Sequence, residues 1–123
     1  MLYAVLCYND EAAVCSWSKD EEAAVMAKLG TVQEKLAREG RLGPVARLLP
    51  TTAATTLRKD RDPPLVIDGP FAETKEQLLG FFVIDCTSLD HALETAKELG
   101  RANPGGTYEI RPILQFWPGS AGA

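Results

Sequence analysis

Hydrophobic and polar positions follow one another along this chain in blocks that predict most of its elements. Leu2 to Cys7 is apolar on both alternating faces, with Tyr3, Val5 and Cys7 on one side and Leu2, Ala4 and Leu6 on the other. That pattern predicts a central strand covered on both sides. Asn9 to Trp17 reads as a connection. Ser18 and Glu21 form an S-x-x-E capping box, which starts a helix near Lys19. Val25, Leu29, Val32 and Leu36 recur at spacings of four, three and four and make one apolar stripe, with Glu34 and Arg38 placed to pair on the outer face. Gly40 stops this helix. Gly30 within it costs about 1 kcal/mol relative to Ala and reads as simply tolerated.

Leu42 to Leu49 carries Pro44, which cannot donate to a ladder, so an edge or bulged strand is expected. Pro50 to Thr52 turns the chain. Thr55 to Lys59 and Leu65 to Ile67 are short extended runs joined by the charged, proline-stiffened Asp60 to Pro64, which predicts an irregular hairpin. Gly80 to Cys86 is again apolar on both faces and predicts a second central strand. Ser88 caps a helix with the stripe Leu89, Ala92, Leu93, Ala96 and Leu99, ended by Gly100. Asn103 to Gly106 is a loop, Thr107 to Leu114 a last strand, and 117–123 a tail after a single domain over 1–116.

This order, strand, helix, strand, inserted β-hairpin, strand, helix, strand, is an α+β fold: a ferredoxin-like split βαβ arrangement with an antiparallel sheet. Two helices cover only one face of such a sheet, yet both central strands are apolar on both. A second copy supplies the missing cover most economically, giving a face-to-face homodimer whose sheets close toward a dimeric α/β barrel.

Length and composition narrow the classes of function. A chain of 123 residues with 46% apolar residues is one domain able to bury its own core. The net charge of −4 gives no overall positive field for phosphate backbones or anionic lipid, so no nucleic acid and no membrane partner is expected. The apolar start is too short for a secretory segment. Cys7, Cys15 and Cys86 form an odd set without CxxC spacing, as expected of free thiols in the cytoplasm. No His or Cys pair has metal-ligand spacing, and no glycine-rich phosphate loop follows a strand, so neither a metal nor a cofactor is expected.

The polar run Asp68 to Gln77, DGPFAETKEQ, lies between the hairpin and the second central strand. Asp68, desolvated over a cleft between protomers, would serve as a general base, with Glu73 beside it to take a proton. Alternatively Asp68 accepts hydrogen bonds from the amides of its own turn. Gly69, Pro70 and Phe71 would line the same cleft, Lys75 would hold an anionic group, and Tyr8 would offer a hydroxyl. Lys75 and Glu76 also read as a solvated turn, and Tyr8 as a core aromatic. Arg111 either pairs with Asp68 or Glu73 or sits exposed beside Glu109 or Glu76. His91, flanked by polar residues, reads as a helix-surface side chain, and Cys15 is the one thiol in a loop.

DGPFAETKEQLLGFFVID, together with LYAVLCYNDE and YEIRPIL, resembles the YCII-related proteins of the DGPF type over nearly the whole chain, Leu2 to about Leu114. The resemblance implies a ferredoxin-like fold, a dimeric α/β barrel, a bacterial cytoplasmic setting and, for many members, partnership with an extracytoplasmic-function sigma factor. Some wider relatives are enzymes, including a dehydrochlorinase of chlorinated hydroxyquinols, thought to use a His-Asp pair. Here the only histidine is His91, so that pair is not carried over. Two readings follow: a ligand-binding or regulatory module, for which the resemblance implies a sigma factor as partner, and a small-molecule enzyme performing isomerase- or lyase-like proton transfer with Asp68 as base.

Overall fold

The computed structural model describes residues 1–122. Its elements are β1 (Leu2–Asp10), α1 (Glu11–Cys15), α2 (Lys19–Arg38), β2 (Leu42–Arg47), β3 (Thr55–Arg58), β4 (Leu65–Asp68), β5 (Glu76–Asp85), α3 (Leu89–Ala102) and β6 (Thr107–Pro112). Four strands form an antiparallel sheet in the order β2-β5-β1-β6, while β3 and β4 pair only with each other. The result is an α+β fold compatible with the ferredoxin-like arrangement, with β1 and β5 at its centre as their unbroken apolar runs require.

Several boundaries differ from the sequence reading. Asn9 to Trp17 is not a plain connection: β1 runs on to Asp10, whose carboxylate accepts the Ala12 amide at 3.0 Å and starts α1. One turn of helix is too short for periodicity to reveal it. The second central strand begins at Glu76 rather than Gly80, because backbone pairing with Asn9 and Asp10 continues where the side chains turn polar. The last strand ends at Pro112 rather than Leu114. The Ile113 amide still reaches Leu2 O at 2.9 Å, but the Leu114 side chain points into solvent. Residues 113–122 form no regular element, and Ala123 lies outside the described residues.

Helix α2 starts as its capping box demands. Ser18 Oγ accepts the Glu21 amide at 3.0 Å, and the Glu21 carboxylate accepts the Ser18 amide at 3.1 Å. Asp20, Glu21 and Glu22 in its first turn and Lys35 and Arg38 in its last oppose the helix dipole. Val25, Leu29 and Leu36 are buried against the sheet. The ion pairs on this helix are Lys35 with Glu98 of α3, at 3.0 Å, and Glu22 with Arg47 of β2, at 2.7 Å, in place of the expected Glu34–Arg38 contact.

Helix α3 is rotated from its expected stripe. Ala92, Thr95, Ala96, Leu99 and Ala102 are buried, whereas Leu89 is 52% and Leu93 37% exposed. The cause is Thr95, which turns inward to meet Arg41. Its hydroxyl donates to His91 O at 3.0 Å and accepts from the Arg41 guanidinium. The same guanidinium reaches Asp85 O at 3.0 Å, Cys86 Sγ at 3.3 Å and Glu39 at 3.0 Å. A polar contact thus sets the angle of an otherwise apolar helix face, because leaving a half-buried guanidinium edge unpaired costs more than exposing part of a leucine.

The core lies between this helix layer and one face of the sheet, where Tyr3, Val5 and Cys7 of β1 meet Phe82 and Ile84 of β5. On the opposite face Leu2, Ala4, Leu6 and Phe81 remain half-buried, and Val83 is buried, close against Gly43 of β2. The edge position of β2 and its irregular pairing between Leu42 and Val45 are what Pro44 requires.

Two glycines test this packing in opposite directions. A Cβ on Gly80 would lie 2.5 Å from Ala46 O, a backbone atom that cannot swing aside, while a Cβ on Gly30 meets nothing within 4 Å. Gly80→Ala should therefore cost about 1–3 kcal/mol in urea unfolding. Gly30→Ala should stabilise by roughly 0.5–1 kcal/mol.

Candidate functional site

The conspicuous polar run ends up on the outside. Asp68 closes β4 opposite Thr55, and Gly69 takes the positive φ of 104° that its turn needs. The turn is held by the Gly69 amide on Ala54 O and by Thr56 Oγ1 on Gly69 O, both at 2.8 Å, rather than by bonds to the Asp68 carboxylate. The Asx-type role expected of Asp68 is therefore taken by backbone and Thr56. Glu73 and Lys75 are exposed, and Phe71 is 78% exposed with Arg58 5.8 Å from its ring centroid. Gln77 braces the segment by donating to Ala72 O at 2.7 Å and Thr74 O at 3.1 Å.

Arg111 does not pair with Asp68 or Glu73. Its guanidinium lies 3.3 Å from Glu109, the neighbour two residues away on the same face of β6. His91 works as part of a helix cap: its Nδ1 accepts the Thr87 amide at 3.0 Å, and its own amide donates to Ser88 Oγ. Among the described residues no three His, Cys, Asp or Glu side chains come together in a way that could hold a metal ion. No helix among them is long and apolar enough to cross a membrane.

Side chains converge elsewhere, at the end of the sheet where β1 leaves the core. A half-open cavity of about 130 Å³ lies there beneath α2. Its walls are Val14 of α1, Trp17, Met26 and Leu29 of α2, and Phe82 of β5; Cys7, Tyr108, Asn103 and Gln33 bring polar atoms. Tyr8 also lines it, and of the residues singled out from sequence it alone does so. A β-bulge shapes the floor: Gly80 pairs with Cys7 and Leu78 with Tyr8, which leaves Leu79 as the extra residue. The roof is held by a clasp from α1, in which the Glu11 carboxylate accepts both the amide of Thr51, at 2.7 Å, and its hydroxyl.

The polar cluster is a chain of neutral groups. Asn103 Nδ2 donates to Tyr108 Oη at 3.0 Å, and the Tyr108 ring lies beside Cys7, whose thiol donates to Val5 O at 3.7 Å. Burial pushes the Cys7 thiol up to about 11, the adjacent Tyr108 hydroxyl offsetting this in part. Burial likewise raises Tyr108 to about 12 against the hydrogen bond from Asn103. Sequence reasoning missed this cluster, since Cys7 and Tyr108 are a hundred residues apart and each reads as an ordinary core side chain. The signal that could have joined them is the pairing of the first and last strands, which sets Cys7 directly opposite Tyr108.

An α+β domain with an antiparallel sheet, an inserted hairpin and a cavity under its helix layer is thus defined by fold and site together. Residues 1–117 match the YCII-related domain family. An uncharacterized protein of Rhizobium meliloti (strain 1021) is 60% identical over 120 residues, 97% of each chain. The chain belongs to the YCII-related family.

Both buried hydroxyl and thiol bind their protons more tightly folded than unfolded. Their contribution to stability is complete below the unfolded values near 9 and 10 and is lost as pH rises through about 11 and 12. Urea midpoints should accordingly fall on going from about pH 8 to about pH 11, and the Cys7→Ala, Tyr108→Phe double variant should show a smaller fall.

Proposed function

We propose that this YCII-related protein is a homodimeric module that holds a small molecule in the cavity beneath α2. The observation that carries the binding reading is the cavity itself: apolar walls, an open side, and a few polar groups gathered together, the usual make-up of a small-molecule site. Its volume of about 130 Å³ approaches that of the roughly 150 Å³ apolar cavity known to admit benzene. Proton-transfer catalysis by Asp68 draws no support from its surroundings, since its carboxylate lies exposed and outside the cavity described above.

Three features support the dimer. The accessible surface is 8473 Å², roughly 2,000 Å² more than a single-domain monomer of this mass exposes. That excess is above the roughly 800 Å² that each partner buries at a standard interface and falls within the range of extensive homodimer contacts. The sheet face away from the helices has a half-buried apolar centre, Leu2, Ala4, Leu6 and Phe81, and an edge on β6 carrying both signs of charge, Glu109 and Arg111. An apolar centre with a self-complementary polar rim suits an isologous contact. The β3–β4 arm also exposes Leu57, Leu65, Val66 and Ile67, and an isolated two-stranded sheet is marginal in water.

Sedimentation equilibrium at micromolar concentration should give twice the chain mass of 13.3 kDa. Leu6→Asp should return the monomer mass with an unchanged far-ultraviolet circular dichroism spectrum. A wild-type monomer would end the dimer proposal. Benzene titrated into the protein should move the methyl resonances of Val14, Met26 and Leu29 and leave those of Leu57 and Val66 in place. Uniform or absent shifts would remove the cavity as a binding site.

A further inference from the structure

The chemistry of the polar groups narrows what the cavity takes. Tyr108 Oη already accepts a hydrogen bond from Asn103 at 3.0 Å, so what it has left to offer is its own proton. The nearest alternative taker is the Cys7 sulfur, a weak acceptor whose own proton is directed to Val5 O at 3.7 Å. A ligand oxygen would be a better acceptor for the Tyr108 hydroxyl than that sulfur. The cation bordering the cavity is already engaged, since Arg47 meets Glu22 at 2.7 Å on the side where the cavity adjoins an outer groove. An anion entering would give up its hydration without gaining a free countercharge. No carboxylate lines the cavity either, so a cation has nothing to pair with.

Size sets the remaining limit. About 130 Å³ admits a single small ring or a chain of roughly six to eight heavy atoms. Trp17, Met26, Leu29 and Phe82 favour an apolar body, and the flexible thioether of Met26 adapts to rings and chains alike. Resting on the binding reading above, we propose that the ligand is an uncharged, mainly apolar carbonyl compound, a small ketone, aldehyde or lactone, with its oxygen accepting the Tyr108 hydroxyl proton. Tyr108 is here a specificity-determining residue. Asn103 positions it by fixing which way the hydroxyl points.

The test compares three probes on the intact wild-type protein by heteronuclear NMR titration: cyclohexanone, benzene and benzoate. They share a ring of similar size and differ in carrying an acceptor oxygen, no polar atom, or a negative charge. Cyclohexanone should bind about fivefold to tenfold more tightly than benzene, the scale of one neutral hydrogen bond, and benzoate more weakly than either. Tyr108→Phe should abolish the preference for cyclohexanone over benzene. Equal binding of cyclohexanone and benzene to the wild type, or a preference for benzoate, overturns the ligand class while the cavity stands. Failure of all three probes to bind overturns the cavity reading as well. The wild-type series decides between these outcomes even if the Tyr108 variant does not fold.

Discussion

A four-stranded sheet has two faces, and two long helices have area enough for one. That constraint organises the molecule. Helices α2 and α3 spend their apolar stripes on Tyr3, Val5, Cys7, Phe82 and Ile84, and Leu2, Ala4, Leu6 and Phe81 are left with partial cover. Evolution could have made the second face polar, as one-sided antiparallel sheets usually are. Instead the central runs Leu2 to Cys7 and Leu78 to Ile84 stay apolar on both faces, so the second face keeps apolar side chains that the chain covers only in part.

The cavity follows from the same shortage of cover at one corner. The helix layer thins where β1 runs past the core, and the five residues of α1 with Trp17 have to close what is left. They do so with a polar device, because so short a helix has little apolar area to offer: Glu11 takes two hydrogen bonds from Thr51 and ties α1 to the β2–β3 connection. A roof held by one carboxylate at its margin leaves space beneath, and the bulge at Leu79 keeps the floor from rising to fill it.

How much of this could be read from the residues depends on the range of the interaction that decides each feature. Ser18 with Glu21, Ser88 with its helix, Pro44 at an edge and Gly69 at positive φ are decided within a few positions, and the structure keeps them all. The central place of β1 and β5 was legible because two doubly apolar runs have to be covered on both sides. The angle of α3 was not, because Arg41 fixes it from 54 positions away through Thr95. Nor was the cavity, whose polar groups come from β1, α2, the loop after α3 and β6. The Asp68 run drew notice for the opposite reason: charges between apolar strands stand out in a sequence, whereas in the single chain they lie on an exposed turn, and of the candidate site residues Tyr8 alone reaches the cavity.

The two surfaces proposed to bind something lie on opposite sides of the same two strands. Cys7 and Phe82 face the helices, Leu6 faces the side proposed for the second copy, and Phe81, one residue before Phe82, also borders the cavity. In a pleated strand neighbouring side chains share a backbone that moves as one unit. The bulge at Leu79 is the place where that unit gives way, since an unpaired residue absorbs a shift that a regular ladder would transmit. Gly80 beside it has no room to move toward β2, with Ala46 O already against it. The cavity and the apolar face therefore share one stretch of β5, with Phe81 and Phe82 side by side at the cavity wall and Val45 and Ala46 of the edge strand bordering it as well.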